Sequence, residues 1–421
     1  MSSRSTYFEG ANHFRIDHQI IYPITGNNYQ NSNAGEDLIH RLKPILDASH
    51  TRNRKRSPPD SECFPGTREK PIQEIIIWSQ SGKTMRIYTQ EAVIGHPEEH
   101  TIINTPHIYW LHGFAGCGKS SISLEVAKIF AKSGCLLASY FFFRGAGDRG
   151  TMERFTVTLA SQLVAAIPAT APLVEAAVKA QPGLVTGDVS LATQLDLLLL
   201  SPFQAVVEAG ILEEAVARGP FLIVIDGLDE CEDKSGVEEL IDHMLDFFEN
   251  HPTIPLRVFI ASRVEQHIRG RLEVDGVRLG DLNSHWPRED IETFLQGSFQ
   301  AVAKRDRVIR AYVQAHGKWP TRLNMDELVE HVGESFVLAS TTFKFIIQPA
   351  TEEDPSTPME RLPLTLRMNG LDTLYAQTLT RSQHLLHFRH IISTITLLET
   401  PLPIAGIAEL LEIEELTNKA M

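Results

Sequence analysis

Two hydrophobic regimes follow one another along this chain. Between residues 107 and 285, short, largely apolar runs at 108–111, 135–143, 221–225 and 254–263 alternate with longer stretches of helical period. Runs this short and this apolar predict strands buried on both faces, as in a parallel sheet. The intervening stretches predict amphipathic helices: 122–130, 152–167, further helical pattern over 169–217, and GVEELIDHMLDFFEN at 236–250. HIRG and VRLGDL continue the alternation. This β-α-β-α-β order predicts an α/β fold with a doubly wound, mostly parallel sheet.

The flanks read differently. Residues 1–34 are polar and rich in Asn and Gln, with a weak apolar alternation. They predict a mobile leader, or a short self-pairing or partner-docking segment. Over 36–49, Leu38, Ile39, Leu42, Ile45 and Leu46 share a helical face that Pro44 kinks or ends. TRNRKRSPPD (51–60) reads as a solvated basic linker, with a nuclear-import patch as the alternative. Residues 63–81 predict a turn and a short helix burying Ile72, Ile75, Ile76 and Trp78, and 83–106 an irregular loop or hairpin. Beyond 286, helices are predicted at DIETFLQGSFQAVAKRDRVIRAYVQ, NMDELVEHVG and ESFVLASTTFKFII. QPATEEDPSTPMERLP (348–363) reads as a Pro/acidic linker before a helical tail. No 20–50-residue repeat is present. The expected division is 1–62, 63–285, 286–350 and 351–421.

Candidate chemistry lies at two junctions of this pattern. Gly113-Phe114-Ala115-Gly116-Cys117-Gly118-Lys119-Ser120 matches G-x-x-x-x-G-K-[ST] between a predicted strand and a predicted helix. In that setting backbone N–H groups cradle phosphates and the helix adds its positive end. Gly113, Ala115, Gly116, Cys117, Gly118, Lys119, Ser120 and Ser121 form the candidate phosphate set. Lys119 would reach the β- and γ-phosphates and Ser120 would hold Mg²⁺. The second junction is FLIVIDGLDEC, where an apolar run ends at Asp226. A carboxylate at the end of a neighbouring strand is the usual second Mg²⁺ ligand. A second acid three or four residues on can orient or deprotonate water, which favours Glu230 with Asp229 as alternate. Arg263 follows another buried run, where a cation could touch the γ-phosphate.

Composition narrows the options. Lys+Arg 39 against Asp+Glu 53 gives a net charge of −14, a poor balance for general binding to nucleic acid or anionic membrane. None of the four cysteines is in a C-x-x-C pair, which indicates a reducing compartment and no zinc. With no signal-like or membrane-length apolar run, the cytosol is the expected location. Cys117 and Cys231 read as small packing residues, and His384, His387 and His390 as ordinary helix residues, a diphosphate contact being the minority option.

WLHGFAGCGKSSI, FFFRGAGDRG, FLIVIDGLDEC and LRVFIASRVEQHI together resemble the NACHT class of STAND P-loop NTPases, more narrowly fungal members with a nephrocystin-type NTPase domain. CFPGTREKPIQEIIIW resembles the lead-in segment of that domain, and LDTLYAQTL with ITLLETPLPIAGIAELLEI its winged-helix module. The resemblance covers about 63–415 and implies an ATP/ADP-driven switch in innate-immune-like or cell-death signalling. It further implies ADP-closed and ATP-open forms, self-oligomerisation, and a protein partner at the N-terminus. It assigns Gly118, Lys119 and Ser120 to phosphates and metal, and Asp226 to Mg²⁺. Asp229 and Glu230 become the acidic pair and Arg263 the sensor, with Thr67 and Arg68 near the base or sugar. The chain departs from the family at Glu334 and Ser335, where a glycine and small apolar residues are usual, and the C-terminal sensor repeats are not found. A substrate-coupled ATP hydrolase and a nucleotide-binding interaction scaffold are the alternatives. The absence of N-K-x-D favours ATP over GTP.

Overall fold

The computed structural model describes residues 38–52, 62–81, 105–282, 288–333, 335–350, 354–368 and part of 370–413. The leader, the basic run after Arg52, the loop before 105, Glu334 and His384 lie outside the described residues.

Five strands, β1 (Ile108–His112), β2 (Leu136–Phe141), β3 (Phe221–Asp226), β4 (Leu256–Ser262) and β5 (Val277–Asp281), form one sheet in the order β2-β3-β4-β1-β5. All pairings are parallel. From β1 the chain crosses to the far edge, returns through β3 and β4, then passes β1 to reach β5. Right-handed crossovers running in opposite directions place helices on both faces. Two buried clusters show this. Tyr109, Leu111, Leu222 and Val224 point to the face covered by α1 (Glu69–Gln80) and α2 (Lys119–Ser133). Ile108, Trp110, Ile223 and Ile225 point to the other. That second face is covered by α3 (Phe155–Ala166), α4 (Lys234–Asn250) and α5 (Gln266–Leu272). β3 and β4 are buried at every position, which explains why their sequences show no polar alternation. Among the described residues no single helix is long and apolar enough to cross a membrane.

The N-terminal flank narrows one expectation and corrects another. The helical pattern over 36–49 yields helix only at 38–42 among the described residues, since Lys43 turns to φ 47° ahead of Pro44. The rest becomes an irregular strap along the β2 edge. Phe141 donates its N–H to the Ala48 carbonyl (2.8 Å) and His50 donates its own to Ser139 Oγ (3.0 Å). The strap thereby covers an edge that would otherwise expose unpaired backbone groups. Leu38 and Leu42 are buried against Val157 and Ala160, and Arg154 Nε donates to the Lys43 carbonyl (3.0 Å). Arg52, expected in a solvated linker, is 5% exposed, with its guanidinium 4.3 Å from the centre of the Phe141 ring.

A helical module follows the sheet: α6 (Arg288–Arg305), α7 (Arg307–His316), α8 (Arg322–Val332), α9 (Phe336–Ile347) and α10 (Pro358–Thr365). Its core joins Leu295, Phe299, Leu328, Phe345 and Leu362. The linker expected over 348–363 is therefore partly wrong. Pro358 occupies the first turn of α10, and the Thr357 N–H donates to Glu360 Oε2 (2.8 Å). Arg361 is fully buried, donating to the Gln348 carbonyl and pairing with Asp354 (3.2 Å). Further along, Phe388–Leu397 and Ile404–Leu410 are helical.

Candidate functional site

The loop between β1 and α2 turns twice through left-handed backbone, at Gly116 (φ 78°) and Gly118 (φ 95°). Side chains are strained there, and a Cβ on Gly116 would lie 2.4 Å from Val337 Cγ2. Gly116 and Gly118 are thus required by shape. Cys117 is buried beneath the loop. Lys119 Nζ donates to the carbonyls of Gly113 (2.8 Å) and Phe114 (2.9 Å). Ser120 and Ser121 begin α2.

The acid-tipped strand meets this loop. β4 separates β1 from β3, and Ala261 is the register partner of both Leu111 and Asp226. Two strand spacings, about 10 Å, therefore separate the backbones, and both C-terminal ends are level. Side chains bridge the gap. Ser123 Oγ donates to Asp226 Oδ1 (2.7 Å), and the Ser120 hydroxyl lies beside the same carboxylate. Burial raises the Asp226 carboxyl above its ordinary value, against the neighbouring Ser123 and Ser120 hydroxyls, which lower it. A desolvated carboxylate beside a serine hydroxyl offers hard oxygen donors that fit Mg²⁺. Among the described residues no group of three or more His, Cys, Asp or Glu could hold a metal ion. Nucleotide phosphates and water would have to complete the coordination.

The two acids after Asp226 have different partners. Asp229 is 4% exposed; its Oδ1 accepts the Arg263 N–H (2.9 Å) and its Oδ2 lies 3.3 Å from Arg263 Nε. Glu230 is half-buried, and its Oε2 accepts the Arg144 N–H (3.3 Å). Burial raises the Glu230 carboxyl first of all; the Arg144 hydrogen bond acts the other way, and neighbouring Asp229 raises it further. Glu230 therefore holds its proton to a higher pH than an ordinary glutamate.

One cavity of about 670 Å³, within the range of small-ligand sites, gathers most of the expected residues. Ala115, Gly116, Gly118, Lys119, Ser120 and Ser121 line it from the loop. Asp226, Asp229, Glu230 and Arg263 line it from the sheet, and Thr67 and Arg68 from the lead-in segment. Gly113 and Cys117 are not among the lining residues; they act behind the loop. Arg68, expected beside a base or sugar, donates Nη2 to the Cys117 carbonyl and stacks over the Phe336 ring at 4.7 Å. It braces the loop against the helical module. His387 and His390 are exposed and away from the cavity. Burial pushes the Cys231 thiol up to about 11, which makes it a poor nucleophile.

Several residues were not found by sequence reasoning. Ser123 lies one turn after Ser120 on the inward side of α2, a spacing that could have indicated it. Arg144 and the aromatic wall of Phe64, Phe294 and Phe336 carry no local signal.

No curated protein matches the chain. The solved structure of C. elegans PCH-2 is similar over 66% of this chain and 63% of that one, with 12% identity and a TM-score of 0.35. This chain thus spans less than two thirds of that protein's length. Residues 88–263, which contain the loop, Asp226, Glu230 and Arg263, match the family described as Nephrocystin 3, N-terminal.

Proposed function

We propose that the cavity binds ATP or ADP with Mg²⁺ and hydrolyses ATP slowly, as a signalling switch of the NACHT/STAND type. The observation that carries this reading is the convergence of Lys119 and Ser120 with the buried Asp226 carboxylate in one cavity. Main-chain N–H groups of the loop and Lys119 hold the phosphates. Ser120 and Asp226 hold Mg²⁺, which when bound neutralises phosphate charge. Glu230, its proton affinity raised, takes a proton from the attacking water. Asp229 is paired with Arg263 and positions that cation toward the terminal phosphate. The cavity is shared with α9, so loss of the terminal phosphate changes how the helical module docks. On this reading, residues 351–421 form a winged-helix-like module, and the ATP form self-associates in innate-immune-like or cell-death signalling.

The test is the nucleotide that co-purifies with the full chain. Retained ADP is expected, and Lys119→Ala should lower ATP affinity by about 100-fold on loss of a charge-assisted contact, read by calorimetry. An empty protein with rapid turnover would replace the switch with a general ATP hydrolase. Undiminished binding by Lys119→Ala would overturn the phosphate role.

A further inference from the structure

The cavity wall facing the phosphate loop belongs to the helical module. Val337, Ser340, Thr341 and Lys344 line it and follow one another at i, i+3, i+4 and i+7, one face of α9. This helix is fixed from behind and at its start. Leu338, Ala339, Phe345 and Ile346 are buried in the module core. Ser335 Oγ caps it by accepting the Leu338 N–H (3.2 Å). Val337 packs against the loop at Gly116.

The cations lining this cavity are not equivalent. Lys119 is bound to two loop carbonyls, Arg263 is paired with Asp229, and Arg68 is stacked on Phe336 with Asp290 beside it. Lys344 is exposed, and among the described residues no carboxylate or carbonyl engages its ammonium. A cation on a rigid helix, lining the same cavity as the phosphate loop and without a partner among the described residues, is suited to an anionic ligand. The flexible four-carbon stem gives it reach, and the three ammonium donors suit phosphate oxygens.

We propose that Lys344 is a phosphate-binding residue supplied by the helical module, engaging the polyphosphate from the side opposite Lys119. The proposal rests on the nucleotide reading of the cavity. It gives that reading a physical link between occupancy and module position, because α9 is then tied to the nucleotide by charge as well as by the packing of Val337.

The test uses the full chain carrying Lys344→Gln, with Lys344→Arg as the charge-retaining control. ADP and ATP are titrated by calorimetry, and thermal unfolding is recorded without nucleotide. The Gln variant should unfold with wild-type behaviour, since the side chain is exposed, yet bind both nucleotides about ten-fold more weakly. The Arg variant should recover most of that loss. Lys344→Gln affinities within about two-fold of wild type would overturn the proposal, while loss of binding in Lys119→Ala would leave the nucleotide reading intact. A wild-type chain that binds neither nucleotide would remove both.

Discussion

The phosphate loop and the N-terminal strap are both short and largely irregular, yet they are specified in different ways. Residues 113–120 carry their own instructions: glycines where the backbone turns left-handed, a lysine, and a serine that opens a helix. Residues 38–52 carry almost none. Their course is set by Arg154, Thr158, Ser139 and Phe141, more than eighty positions away. A local backbone device is visible in sequence, whereas a segment held by distant side chains looks like a linker. Arg52 is the sharpest instance. As one of a run of cations it reads as solvated, and the Phe141 ring beneath it, 89 positions on, helps to make its burial favourable.

This comparison can be broken experimentally. The largest effect is expected at Glu230, where Glu230→Gln should slow ATP turnover by about 100- to 10,000-fold while leaving nucleotide binding in place. Asp229→Asn should act mainly through Arg263 and cost less; the reverse ranking in single-turnover assays would exchange their roles. The pH profile gives a second reading of the same residue. A base works deprotonated, and burial holds the Glu230 proton to higher pH. The rate should therefore fall on acidification from a point above the ordinary glutamate range and be flat above it, and this limb should vanish in Glu230→Gln.

Next in size is the strap. Leu42 is fully buried against α3, so Leu42→Ala should cost about 2–5 kcal/mol in denaturant unfolding. A change under about 0.5 kcal/mol would return the strap to the status of a linker. Ser123→Ala should weaken Mg²⁺-dependent nucleotide binding by roughly ten-fold, because the Asp226 carboxylate loses an orienting hydrogen bond. Equal affinities at every Mg²⁺ concentration would remove Ser123 from the site. The smallest effect belongs to Leu46, which is 82% exposed despite sharing the apolar pattern of Leu42. Leu46→Ala should stay within about 0.5 kcal/mol of wild type.

Much of the fold was legible because its central strands are buried on both faces, leaving largely apolar runs that end at Asp226 and Ser262. The linker expected over 348–363 failed for the opposite reason. Proline and acidic residues that break helices in isolation also begin them, and here Pro358 and Glu360 do so. In the cavity, the residues named from motif spacing lie on the wall, whereas several brought there from other elements carry no local signal. Phe294, Phe336 and Lys344 reach the cavity only because α6 and α9 pack beside the loop.

By itself the sequence determined the alternation of strand and helix, the shape of the phosphate loop and the place of the acid at the strand end. Each of these is encoded within a few consecutive residues, through backbone freedom, hydrophobic period and helix capping. The tertiary structure alone decided that β4 separates the two chemical strands, that Asp229 pairs with Arg263 while Glu230 accepts the Arg144 N–H, and that the lead-in segment and a helical module line the site. Those outcomes depend on which distant side chains meet, and burial of polar groups is favourable only where such partners are present.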